Sequence, residues 1–122
     1  MTIRARYPST WLALAYIAFG PLVWAACHGL LYAAHWLLCV LLVRDILTAG
    51  AIHGVLLIIA TVCAIILSLT IRCPDALAQF MLAGVSREAW MFSRSAMRLL
   101  AALSLFGVVA AGAAVLALPV CG

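Results

Sequence analysis

Gly20–Val43 reads GPLVWAACHGLLYAAHWLLCVLLV, an uncharged run long enough to cross a bilayer once as a helix. At about 100° per residue, Trp24, His28, Tyr32, His35 and Cys39 fall on one stripe of that helix. Leu22, Ala26, Leu30, Ala33, Leu37 and Val40 cover much of the opposite side. Imidazole, phenol, indole and thiol groups at membrane depth are expected to face protein rather than hydrocarbon. The stretch therefore predicts a membrane helix with a polar seam.

The whole chain agrees with that reading. Of its 122 residues, 70% are hydrophobic and 8% charged, against about 25% charged in a soluble domain. All seven basic residues are arginine, and the net charge is +4. They are scattered near the ends of apolar runs rather than clustered, which argues against nucleic-acid binding. The first apolar run is longer than a typical secretory h-region of about 7–15 residues, so it reads as a retained span.

Uncharged segments set the other crossings. Ile46–Ile71 and Leu99–Leu118 each suit one helix. Tyr7–Val43 is too long for one crossing and short for two. Gly20-Pro21 divides it, because proline lacks a backbone donor and disfavours helix at the preceding residue. Thr10–Phe19 is then a lead-in helix and 21–43 the first full span. A turn near Cys27–Gly29 would leave only Leu30–Val43 for a second crossing. The expected fold is all-α, one membrane domain over 1–122, with spans at about 21–43, 46–71 and 99–118.

With three crossings, Arg4, Arg6, Arg72, Arg87, Arg94 and Arg98 share one side and Arg44 has the other to itself. The positive-inside rule then places the N-terminus in the cytoplasm and the C-terminus in the periplasm of a bacterial inner membrane. Arg44-Asp45 is a short connection between the first two spans. Arg44 suits the negative end of the first helix, and Asp45 suits the N-cap of the second. Residues 74–95 mix apolar and charged groups and predict a cytoplasmic interfacial segment. It contains a short helix, a break near Gly84-Val85 and a new start capped by Ser86. Trp90 fits an interfacial anchor. In the third span Ser104, Gly107, Gly112 and several alanines permit close helix approach, as do Gly50 and Gly54 in the second.

Few residues carry chemistry. The two aspartates and one glutamate lie at predicted helix borders. There are no paired carboxylates, nucleotide loop or nucleophile elbow, so an enzyme acting by itself is not expected. In an antiparallel hairpin His35 and His53 come to similar depth, with Cys39 one turn above His35. The histidines could donate to backbone carbonyls. His35, His53 and Cys39 could hold copper or zinc. His35 and His53 could ligate haem. The remaining option is contact with a partner subunit's cofactor site or proton path. His35 and His53 are the candidate cofactor-facing pair. No resident metal or cofactor is assigned, any haem or copper belonging to partner subunits. Cys27 and Cys63 read as small apolar groups within the membrane. Cys39 and Cys121, both near the outer face, could pair in an oxidising compartment.

The run Gly20–Cys39 resembles a family of small, functionally uncharacterised bacterial membrane proteins whose genes often accompany those of haem-copper cytochrome oxidases. Gly20, Pro21, Trp24, Tyr32, His35 and Cys39 carry the resemblance. The family's first histidine follows tryptophan by three positions, where this chain has Cys27, with His28 next. The resemblance implies association with a respiratory complex. The expectation is an accessory subunit of a respiratory membrane complex, packed against a larger integral-membrane core subunit and lipid. Trp24, His28, Tyr32, His35, Cys39, Gly50 and Gly54 form its interface. The alternatives are a small metal- or haem-binding protein of oxidase assembly and a self-assembling pore.

Overall fold

The computed structural model describes residues 10–82, 84–119 and 121. They form five helices, α1 (Thr10–Ile17), α2 (Phe19–Val43), α3 (Ala49–Arg72), α4 (Pro74–Met81) and α5 (Arg87–Ala117), with no strand among the described residues. Three of these, α2, α3 and α5, are long and apolar enough to cross a membrane. Each packs against the other two. The chain is therefore an all-α membrane protein.

The break before the first span lies two residues earlier than expected. The lead-in helix ends at Ile17, and α2 begins at Phe19 with Gly20 and Pro21 inside its first turn. Pro21 has no N–H to offer the carbonyl four residues back, that of Ile17. The Ala18 carbonyl resumes the ladder by accepting from the Leu22 N–H at 2.9 Å. The discontinuity thus falls at Ala18, not at Gly20-Pro21.

The first hairpin also differs from expectation. Asp45 does not cap α3. It adopts a left-handed conformation with φ 57°, which a short polar side chain tolerates better than most. Its N–H donates to the Leu42 carbonyl at 2.9 Å, and the Ile46 N–H donates to the Leu41 carbonyl at 3.2 Å. This closes α2 as a Schellman motif with aspartate in the position glycine usually takes. Thr48 caps α3 instead, its Oγ1 accepting from the Ala51 N–H at 3.3 Å. Ile46 and Leu47 lie in the turn and not in the second span.

At the end predicted to face the cytoplasm, Pro74 opens α4 at a position where its missing N–H costs nothing. Gly84 supplies the positive φ of 91° that turns the chain. Ser86 caps α5, accepting from the Ala89 N–H at 3.4 Å, as its place after the glycine predicted. The helix that starts there runs on without a break into the third span. Residues 87–95 are the first turns of α5, because no proline or glycine interrupts the chain between Arg87 and Leu99. At about 1.5 Å per residue α5 exceeds a hydrocarbon core of about 30 Å, so its charged start projects beyond the span.

Two apolar clusters hold the bundle. The larger joins Cys27 and Leu31 of α2, Ile52, Leu56, Cys63 and Leu67 of α3, and Val108 of α5. The smaller joins Tyr16, Ala78, Leu82, Met97 and Ala101, fastening α1 and α4 to the start of α5. Beside it the Arg94 guanidinium bonds the Asp75 carboxylate at 3.2 Å and lies 5.2 Å from the Trp90 ring centroid. Trp90 is therefore half-buried against protein. Burial raises the pKa of the Tyr16 phenol above its ordinary value.

Candidate functional site

Small residues determine how α2 lies against α5. A β-carbon on Gly20 would meet the Ala101 backbone, and one on Gly107 would meet the Trp24 indole. The two helices therefore run side by side with backbones close. Gly112 lies against the Ala60 side chain of α3, 3.7 Å from where its own β-carbon would be. With α2 and α5 in this register, the far end of α5 arrives beside Cys39.

Among the described residues the stripe on α2 divides into a packed lower part and an open upper part. Trp24 covers Gly107, and its ring centroid is 4.6 Å from that of His28. His28 Nδ1 donates to the Trp24 carbonyl at 3.1 Å. Higher up, Tyr32 is 75% exposed and Trp36 71% exposed, and His35 is exposed too. Leu22, Ala26, Leu30, Ala33, Leu37 and Val40 are exposed, as a lipid-facing side requires. Only Gly20, Cys27 and Leu31 of α2 are buried.

A cavity of about 380 Å³ opens between the three spans. His28, Tyr32 and His35 form its polar wall, facing Leu56 of α3 and Ala111 and Val115 of α5. At its upper end the chain leaves α5 through Leu118-Pro119. Cys121 forms a disulfide with Cys39, with Cα atoms 5.7 Å apart. One donor atom each of His35, Cys39 and Cys121 lies within 4.8 Å of the other two.

His53 stands apart from this group. Its Nδ1 donates to the Ala49 carbonyl at 3.1 Å, and it belongs neither to the cavity wall nor to the His35 group. Gly50 and Gly54 have nothing within 4 Å of an added β-carbon, so they do not pack within this chain. Spacing put His35 beside Cys39, and shared depth at the outer face put Cys121 beside Cys39, the pair that the structure joins; the three were not combined into one donor group. The available signal was a cysteine just past a proline that ends the third span.

No family model, curated protein or solved structure matches this chain.

Proposed function

We propose that this protein is an accessory subunit of a larger membrane complex, its α2 face covered by an integral-membrane partner. The carrying observation is Tyr32. It lies eleven residues before Val43, or about 16 Å along the helix, near the middle of a core about 30 Å thick. There it is 75% exposed. A phenol in hydrocarbon lacks a hydrogen-bond partner, which costs free energy. A neighbouring polypeptide supplies that partner. Gly50 and Gly54 on α3 leave room for a second helix to approach. The shortage of carboxylates supports a non-enzymatic role.

The complex is a respiratory one, most concretely a haem-copper terminal oxidase. That part of the proposal rests on the likeness of Gly20–Cys39 to the oxidase-associated family. The Cys39–Cys121 disulfide supports an orientation with that end in an oxidising compartment, the periplasm, and the N-terminus in the cytoplasm.

The test is purification in mild detergent with a photocrosslinker at position 32. The expected result is a crosslink to one stoichiometric multi-span subunit, in an eluate with a haem absorption band. Tyr32→Ala and Gly54→Leu should weaken that association without unfolding the chain. A homogeneous preparation of this chain, crosslinked only to lipid, would overturn the proposal. A stoichiometric partner without haem would overturn the oxidase assignment.

A further inference from the structure

We infer that His35, Cys39 and Cys121 form a copper(I) site that opens when the Cys39–Cys121 disulfide is reduced. The inference does not depend on the partner proposed above. It starts from the three donor atoms within 4.8 Å of one another. Around a three-ligand centre, metal–sulfur bonds of about 2.3 Å and metal–nitrogen bonds of about 2.0 Å put donors about 4 Å apart. Opening the disulfide brings the sulfurs to that separation with little movement of the backbone.

A second observation concerns His35 itself. His28 and His53 each tie Nδ1 to the carbonyl four residues back. Among the described residues His35 makes no such bond, so its ring is free to turn a lone pair to an ion. A disulfide that only fastened helices would need no imidazole beside it. The cavity on which His35 borders gives the ring room to turn.

The donor set selects the metal. Two thiolates and an imidazole are soft ligands that suit copper(I) and zinc. Zinc sites of this kind are almost always completed by a fourth ligand. Among the described residues no further His, Cys, Asp or Glu joins the group. Copper(I) is stable with fewer ligands and fits this set.

The chemistry balances with a dithiol as reductant. It gives two electrons and two protons to the Cys39–Cys121 bond and becomes a disulfide itself. The two sulfurs are released as thiols. Copper(I) then displaces one proton from each Sγ and accepts the His35 lone pair, without change in its own oxidation state. In reverse, a disulfide oxidant takes two electrons from the two copper-bound thiolates and, with two protons, becomes a dithiol; the Cys39–Cys121 bond re-forms and copper(I) leaves with its oxidation state unchanged, so the site is loaded only in the reduced protein.

The experiment is anaerobic titration of the detergent-purified protein with copper(I), using bicinchoninate as competing chelator and X-ray absorption as structural readout. The reduced protein should take up stoichiometric copper with sulfur and nitrogen neighbours, and the oxidised protein none. Cys39→Ser/Cys121→Ser should abolish uptake. His35→Ala, which retains the disulfide, should remove the nitrogen neighbour and weaken binding by about tenfold or more. Three results would each overturn the inference: equal uptake by oxidised and reduced protein, copper retained by the double serine variant, or no uptake by reduced protein of unchanged helical circular dichroism. None of these bears on the crosslink from position 32.

Discussion

Gly20 and Ala101 meet backbone to backbone: a β-carbon on Gly20 would lie 2.7 Å from the Ala101 Cα and 2.8 Å from its nitrogen. Backbone atoms cannot swing aside, so Gly20→Ala must push α2 and α5 apart. Overpacking of this kind costs about 1–3 kcal/mol. Gly29 has nothing within 4 Å of an added β-carbon, and Gly29→Ala should be neutral or slightly stabilising through helix propensity. Thermal unfolding of both variants in detergent checks the contrast. Equal melting temperatures would mean that the two helices do not approach at Gly20.

Gly107 presents a softer obstacle. Its added β-carbon would lie 2.6 Å from Trp24 Nε1, but Trp24 is 40% exposed and its ring can rotate outward. Gly107→Ala should therefore cost less than Gly20→Ala, and its cost should disappear in a Trp24→Ala background. A double-mutant cycle measures this coupling, which for residues in contact is about 0.5–3 kcal/mol. Additive effects would show that the ring does not rest on Gly107.

These two contacts explain what the sequence could and could not reveal. The three spans were legible because uncharged runs and bounding arginines report each helix separately. Ser86 was legible as a cap because its role depends only on neighbours within one turn. The effect of Pro21 was legible in kind but misplaced, since the missing donor acts on the carbonyl four residues earlier. Asp45 was misread as a cap because its left-handed φ of 57° depends on how α2 terminates. The grouping of His35 with Cys121 spans 86 positions and depends on the register of α5 against α2. That register is set by Gly20 on Ala101 and Trp24 on Gly107, and no periodicity in either segment records it. His53 lies outside the His35 group for the same reason: similar depth does not specify rotation about the helix axes.

Tyr16 carries a pH dependence. The phenol is fully buried in the smaller cluster, and its hydroxyl donates to the Pro74 carbonyl at 3.4 Å. Burial raises its pKa in the folded chain, while the unfolded value stays near 10. Its contribution is therefore fully present below about pH 10 and lost as pH rises through the higher folded pKa. Tyr16→Phe should cost at most about 1 kcal/mol at neutral pH, the size of an ordinary hydrogen bond. It should remove part of the stability loss seen in alkali. Denaturation curves at neutral and alkaline pH make the comparison, and parallel decline of wild type and Tyr16→Phe would rule the effect out.

The Cys39–Cys121 bond closes a sequence separation of 82 residues, so it restrains the unfolded chain more than any local contact. Closures of this kind contribute about 2–4 kcal/mol. Reduction should lower unfolding stability by that order, and on a non-reducing gel should slow migration of the denatured chain. The bond also tests the orientation. Cys73, exposed at the end of α3, is free and lies at the opposite end of the bundle from Cys39. With the disulfide end in the periplasm, a membrane-impermeant maleimide applied from outside should reach Cys39 or Cys121 only after reduction, and Cys73 only after the membrane is opened. Labelling of Cys73 in intact cells would reverse the orientation and place the disulfide in a reducing compartment, where it would not persist.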